Sequence, residues 1–182
     1  MHPALSVILF TTASGTGYGL LILLMILNLN GLLPTDSALG IGGFAVGLTL
    51  VTAGLLASTF HLGHPERAWR ALSQWRSSWL SREGVAAIAT YPLVLIFAAG
   101  WIIVGSTAGG WSLAGFLAIV LAAVTVSATG MIYASLKTIP QWHNPLTVVN
   151  YLVLALAGGA VWLTSIGQLI DIDTTLLVLL SL

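Results

Sequence analysis

The chain has 182 residues, of which 58% are hydrophobic and 5% are charged, with five cations and five anions in all. An ordinary soluble domain carries about a quarter charged residues, so these side chains are too few to cover a water-facing surface. The composition excludes a soluble enzyme, a disordered chain and a basic nucleic-acid-binding protein, and it indicates an integral membrane protein with several spans. Because the chain has no cysteine, it holds no disulfide and no thiolate-bound metal or iron–sulfur centre.

Charged residues separate apolar stretches that are long enough to cross a bilayer, which takes about 20 residues per helix. We therefore expect an all-α bundle of at least five transmembrane helices, near residues 4–29, 38–62, 84–104, 112–136 and 146–169. The turn-rich run at 105–110 (Gly-Ser-Thr-Ala-Gly-Gly) divides the long uncharged stretch before residue 137 into two spans. Residues 1–182 then form one transmembrane domain.

The sequence also supports one expectation about each end of the chain. Residues 1–3 (Met-His-Pro) include no Lys or Arg ahead of the first apolar run, so we expect a retained span and not a cleaved signal. Residues 174–182 are apolar but too short to cross, and a helix does not end inside hydrocarbon with its carbonyl groups unpaired. We therefore expect the protein to continue beyond Leu182 into a sixth helix.

The distribution of charge predicts the orientation. Five spans place the N-terminus, the segment 64–83 and the loop 137–145 on one side, and this side carries all five cations: Arg67, Arg70, Arg76, Arg82 and Lys137. The other side carries only the acidic residues Asp36, Asp171 and Asp173. The positive-inside rule makes the basic side cytoplasmic, and we expect a multi-pass protein of a bacterial inner membrane.

Small residues recur within the predicted helices. Gly15 and Gly19 form one GxxxG pattern, and Gly43 and Gly47 form another. Such faces let helix backbones approach closely, so we expect both pairs to pack the bundle.

The segment between the second and third helices predicts a short amphipathic helix in the membrane interface. Its apolar stripe is formed by Ala68, Leu72, Trp75 and Trp79, and its polar face by Arg67, Arg70, Gln74 and Ser77. Tryptophan side chains prefer headgroup depth. The four arginines of this region (Arg67, Arg70, Arg76 and Arg82) have two interpretations, contact with lipid headgroups or docking of an acidic partner subunit.

His61 and Glu83 lie at the ends of consecutive helices on the basic side. Taken singly, His61 is an interfacial anchor, and Glu83 is a favourable carboxylate that opens helix three after Ser81, a good N-cap residue. Together they meet the needs of a quinone site, where a histidine exchanges protons near neutral pH and an intramembrane glutamate passes protons. Further candidates to border such a site are Arg67, Lys137, Trp142, Tyr91 and Tyr133.

Two other functions stay open at this point. His143 could pair with His61 across a haem, as in a b-type cytochrome subunit, although His143 is expected in a loop; His64 is expected in a solvated loop. A small transporter is the other alternative, but the helix interiors hold no charged residue, whereas ion-coupled carriers usually place ionisable groups near the midplane.

Several blocks of the sequence resemble the membrane anchor subunit of the DMSO reductase type. They are residues 61–65 (His-Leu-Gly-His-Pro), 67–68 (Arg-Ala), 80–83 (Leu-Ser-Arg-Glu) and 138–142 (Thr-Ile-Pro-Gln-Trp). The opening, residues 1–7 (Met-His-Pro-Ala-Leu-Ser-Val), is most similar to the anchor of the membrane-bound sulfite-oxidising branch. The resemblance covers most of the chain.

This resemblance implies a three-subunit oxidoreductase. A molybdopterin catalytic subunit and an iron–sulfur electron-transfer subunit would sit on the membrane face, and the anchor, with about eight spans and no haem, would exchange electrons and protons with quinone or quinol. The family's quinol-site histidine falls on His61 and its essential glutamate on Glu83. Because the basic side is predicted to be cytoplasmic, as in the sulfite-oxidising relatives, we expect electrons to run from sulfite to quinone; a DMSO reductase-type reaction is the alternative.

Overall fold

Five long apolar helices make up the bundle. The computed structural model describes residues 5–59 and 65–172, with the backbone alone at 65–68 and 71. Within this part of the chain, the helices long and apolar enough to span a membrane are α1 (Leu5–Leu29), α2 (Ser37–Thr59), α3 (Trp79–Val104), α4 (Gly110–Ala134) and α5 (Leu146–Leu169). The prediction of an all-α membrane protein is confirmed. The predicted sixth helix at 174–182 lies outside the described residues.

Successive helices run antiparallel, and their contacts fix which ends meet. Thr129 of α4 reaches Glu83 near the start of α3, and Tyr133 of α4 reaches Tyr151 near the start of α5. One end of the bundle therefore carries the start of α1, residues 65–78 and the loop 135–145. We call it the basic end, because the described cations Arg70, Arg76, Arg82 and Lys137 all lie there.

The small residues have two different environments. A Cβ atom on Gly19 would lie 1.8 Å from the Ala155 carbonyl oxygen, and one on Gly47 would lie 2.7 Å from Leu21. These glycines let α1 pack closely on α5 and on α2, as the GxxxG patterns predict. Gly15 is different, because the atom nearest to a Cβ at this position is Ala155 Cβ at 4.0 Å. The Gly15 face is open and borders a groove between α1 and α5.

An aromatic cluster holds the opposite end of the bundle together. The rings of Phe44, Phe97 and Trp101 meet edge to face, with centroids 5.7 to 6.1 Å apart. Trp101 Nε1 donates a hydrogen bond to the Asp36 carbonyl oxygen at 2.6 Å, and Asp36 Oδ1 accepts from the Leu39 amide at 2.9 Å. Asp36 therefore caps α2 and ties its start to α3.

Near the basic end one prediction is wrong, the start of the third helix, and another, the short amphipathic helix, is confirmed with a different geometry. The third helix begins at Trp79, five residues before the predicted start, and Ser78 caps it by accepting from the Ser81 amide at 3.5 Å. Ser81 is therefore not the cap, and Glu83 lies inside the helix. The predicted amphipathic helix is a 3₁₀ helix, Pro65–Gln74, so Trp75 follows it and Trp79 belongs to α3.

The 3₁₀ geometry explains how this segment packs. With about three residues per turn, the four-residue spacing of the predicted stripe no longer applies. A Cβ atom on Gly84 would lie 2.8 Å from Leu72 Cδ2. The segment therefore rests on the start of α3 through Leu72, while Trp69 and Trp75 are exposed.

Candidate functional site

A buried carboxyl group lies at the centre of the basic end. Glu83 is 4% exposed, and Thr129 Oγ1 of α4 is hydrogen-bonded to Glu83 Oε1. The same hydroxyl group lies 3.1 Å from the Thr125 carbonyl oxygen. Glu83, Thr129 and Tyr151 lie four or five residues from their helix ends, about 6 to 8 Å along the axis, so the group sits within the helices that are long and apolar enough to span a membrane.

The Glu83–Thr129 pair can accommodate both protonation states of the carboxyl group. A hydroxyl group has one proton to donate and two lone pairs to accept with. When Glu83 is ionised, Thr129 donates to the carboxylate. When Glu83 is protonated, it donates to Thr129, and Thr129 donates to the Thr125 carbonyl oxygen. The geometry is therefore suited to a group that takes up and releases a proton.

Three tyrosines lie close to this pair. Tyr18 of α1 and Tyr151 of α5 line the same small cavity as Thr129, and Tyr133 of α4 stacks on Tyr151. Tyr18 is 2% exposed, and its hydroxyl group lies near that of Thr125 without forming a hydrogen bond of normal geometry within the described residues. The neighbouring Thr125 hydroxyl donates to the Leu121 carbonyl oxygen at 2.8 Å. A buried polar group without a partner costs about 1 to 3 kcal/mol, so Tyr18 marks a place suited to a bound molecule or water.

Aromatic rings close the cluster toward the loop between α4 and α5. The rings of Tyr133 and Tyr151 stack with centroids 5.6 Å apart, and Trp142 meets Tyr133 edge to face at 5.2 Å. The loop folds back on the helix ends, since His143 Nδ1 lies 2.7 Å from the Ala134 carbonyl oxygen and Thr147 donates to the Trp142 carbonyl oxygen at 2.8 Å. This fold of the loop positions Trp142 beside the tyrosines.

A small cavity and a larger groove adjoin the cluster. The cavity, of about 10 Å³, is lined by Thr11, Ser14, Gly15, Tyr18, Val126, Thr129 and Tyr151. The groove, of about 370 Å³, runs between α1 and α5 and is lined by Thr11, Thr12, Gly15, Thr16, Tyr151, Leu154 and Ala155. The two share Thr11, Gly15 and Tyr151, so the groove leads toward Thr129 and Glu83.

The predicted site residues fall into separate groups. Glu83, Tyr133 and Trp142 belong to the cluster. Tyr91 lies about two turns further along α3, where its hydroxyl group pairs with Thr52 at 2.7 Å. Lys137 is exposed in the loop after α4. His61 and His64 lie outside the described residues, as does the side chain of Arg67.

The arginines of the basic end have different roles. Arg82 folds over the connecting segment, where its guanidinium donates to the Trp75 and Arg76 carbonyl oxygens at 3.0 and 2.7 Å. It also lies 4.2 Å from the centre of the Trp79 ring. Arg70 and Arg76 are exposed beside Trp69 and Trp75. Arg82 therefore shapes the segment, and Arg70 and Arg76 remain available to a partner surface.

Sequence reasoning missed Thr129, Tyr18 and Tyr151. A signal was present, because hydroxyl-bearing side chains inside apolar helices usually face the bundle interior. Thr125 and Thr129 are four residues apart and so share one helix face. The sequence did not reveal that these faces converge on Glu83.

Comparison with known proteins decides the family. The sequence model of the DMSO reductase anchor subunit (DmsC) matches residues 1–182. The chain belongs to this family. It is also 40% identical over 176 residues to a sulfite dehydrogenase subunit of Allochromatium vinosum, an alignment that covers 87% of this chain and 53% of that protein. The chain thus spans about half the length of the curated relative it matches, and no solved structure matches it. The resemblance inferred from the sequence is confirmed.

Proposed function

We propose that this chain is the quinone-reactive part of the membrane anchor of a three-subunit molybdopterin and iron–sulfur oxidoreductase. The observation that carries the proposal is the buried Glu83 carboxyl group, which is hydrogen-bonded to Thr129 and lies close to three tyrosines at the basic end. Family membership supports the anchor role. The chain itself would exchange electrons and protons with the quinone pool and would not perform the substrate chemistry.

The residues proposed for the site have different roles in proton exchange and in quinone binding. Converting a quinone to a quinol takes up two protons with two electrons, so the site needs a group that gives and takes protons. Glu83 fills this role, because Thr129 can donate to its ionised form or accept from its protonated form. We assign His61 as the hydrogen-bond partner of a quinone oxygen, on the resemblance of residues 61–65. Trp142, Tyr91, Arg67 and Lys137 are proposed to border the site.

The remaining cofactors belong to the proposed partners. Molybdopterin and iron–sulfur clusters would supply the substrate chemistry and the electrons from the catalytic and electron-transfer subunits, since this chain has no cysteine to hold a cluster. Arg70 and Arg76 are exposed on the segment 65–78, which suits docking of an acidic face of the electron-transfer subunit. Arg67 is assigned to the same surface. Arg82 supports that surface indirectly, through its contacts with the segment.

The direction of the reaction is proposed from the relative and from charge. The similarity to the sulfite dehydrogenase subunit of Allochromatium vinosum favours electron flow from sulfite to quinone. The cations of the basic end favour a cytoplasmic location for that end in a bacterial inner membrane, next to a cytoplasmic catalytic subunit.

The decisive experiment compares two activities of the same complex. Membranes containing the Glu83→Gln variant are expected to lose quinone-linked turnover by about 100-fold or more, because the amide cannot exchange a proton. Turnover with an artificial dye, which bypasses the anchor, should be unchanged. Thr90→Val is the matched control, since Thr90 is buried on the same helix and, among the described residues, bonds to the Ala86 carbonyl oxygen. Unchanged quinone-linked turnover in Glu83→Gln would refute the proposal.

A second measurement tests the partners. The tagged chain, extracted in mild detergent, should co-purify with a molybdenum-containing subunit and an iron-rich subunit. Recovery of the chain without molybdenum or iron would argue against the anchor role and would remove the basis for assigning His61 and Glu83 to quinone.

A further inference from the structure

We propose that the groove between α1 and α5 binds the ring of the quinone or quinol, and that one water molecule in the cavity behind it connects this ring to Thr129 and Glu83. This inference rests on the proposed function and adds a binding place and a hydrogen-bonded route. Neither is contained in the assignment of His61 and Glu83.

The size of the groove fits a quinone ring. Its volume of about 370 Å³ lies within the usual range of ligand pockets, about 300 to 1,000 Å³. Gly15 lines it, and a Cβ atom at this position would make only an ordinary van der Waals contact, with Ala155 Cβ at 4.0 Å. Four residues further along α1, Gly19 closes the same interface by direct backbone contact with Ala155. The groove is therefore a defined opening between two otherwise tightly packed helices.

The groove is lined in part by threonine hydroxyl groups, which a bound lipid chain would not need. Thr11 donates its hydroxyl proton to the Val7 carbonyl oxygen at 3.1 Å, and Thr12 donates to the Ile8 carbonyl oxygen at 2.7 Å. Their oxygen atoms keep lone pairs that can accept a hydrogen bond, which suits the O–H groups of a quinol. Thr11 and Thr12 also lie in a π-helical turn, Phe10–Ser14, a feature found often at functional sites.

The cavity behind the groove connects the groove to Thr129 and Glu83. Its volume of about 10 Å³ is near the minimum for one water molecule. The unpartnered hydroxyl group of Tyr18 can donate to that water, and Thr129 lines the same cavity while hydrogen-bonded to Glu83. A water there would satisfy the buried Tyr18 and extend the hydrogen-bonded chain from Glu83 to Thr11 and Tyr151 at the groove.

A second surface groove provides a matched control. It has a similar volume, about 400 Å³, but its lining residues (Leu48, Thr49, Thr52, Ala53 and Leu56) all belong to α2. Ala53 is exposed there, so Ala53→Leu adds the same kind of side chain to a groove that is not joined to the cavity.

The test fills the α1–α5 groove and measures quinone-linked turnover of the complete complex. Gly15→Leu is expected to lower kcat/KM for a short-chain quinone by about tenfold or more, with dye-linked turnover unchanged. Ala53→Leu should stay near wild type. If Gly15→Leu keeps wild-type quinone kinetics while Glu83→Gln loses them, the groove proposal is wrong and the proposed function stands. If Glu83→Gln also keeps them, the proposed function fails as well.

Photolabelling of the unmodified complex makes the test independent of variant folding. An azido-quinone should crosslink to peptides containing residues 11–16 or 151–155, and excess unlabelled quinone should compete. Labelling confined to other helices, or labelling here without competition, would mean that lipid or another part of the protein occupies the groove, and would overturn the proposal.

Discussion

Replacing Thr129 by Val tests the role of the Glu83–Thr129 pair most directly. The substitution exchanges a hydroxyl group for a methyl group of similar volume, so packing around the 6% exposed side chain changes little. It removes the hydrogen-bond partner that the described residues offer to Glu83. The carboxyl group would then be buried without a fixed route for its proton.

The size of the effect follows from the kind of hydrogen bond that is lost. Hydrogen bonds to charged groups contribute about 1.5 to 3 kcal/mol, and about 1.4 kcal/mol corresponds to a factor of ten. If proton exchange through Thr129 limits the reaction, quinone-linked turnover should fall by about 10- to 100-fold. Thr129→Ser retains the hydroxyl group and should therefore keep most of the wild-type quinone-linked turnover.

The assay is quinone-linked turnover in membranes, with dye-linked turnover of the same preparation as the measure of assembly. Thr90→Val provides the control for removing a buried threonine hydroxyl from the bundle, since Thr90 donates to the Ala86 carbonyl oxygen of its own helix at 2.8 Å. The reasoning is refuted if Thr129→Val and Thr90→Val have equal turnover. It is also refuted if Thr129→Ser is as impaired as Thr129→Val.

Two further predictions concern assembly. Gly19→Ala should lower the thermal denaturation midpoint of the detergent-solubilised protein, because the new Cβ atom would lie 1.8 Å from the Ala155 carbonyl oxygen and overpacking costs about 1 to 3 kcal/mol. Gly15→Ala should leave the midpoint unchanged. Equal midpoints for the two variants would contradict the packing described. Arg76→Glu should reduce the amount of iron that co-purifies with the tagged chain, and the reduction should be larger at low salt because ions screen charge attraction. Lys137→Glu should leave the amount of iron unchanged. Equal iron in both variants would argue against docking at the segment 65–78.

Much of the fold follows from the sequence, for a physical reason specific to membranes. A helix must be long and apolar to cross hydrocarbon, and charges are confined to the ends. The five spans and the grouping of cations at one end could therefore be predicted, and Glu83 stood out as a carboxyl group beside a span. The start of α3 could not be predicted as well, because both Ser78 and Ser81 are suitable caps and only the backbone path decides between them.

The tertiary structure alone decided which hydroxyl groups meet Glu83 and where the bundle opens. Tyr18, Thr129 and Tyr151 lie on three helices far apart in sequence, and their convergence depends on how those helices rotate and pack. Gly15 and Gly19 belong to one sequence pattern, yet Gly19 packs against the α5 backbone and Gly15 borders a groove. A glycine permits close approach at any point of a helix, but the crossing of the two helices determines the single point at which their backbones touch.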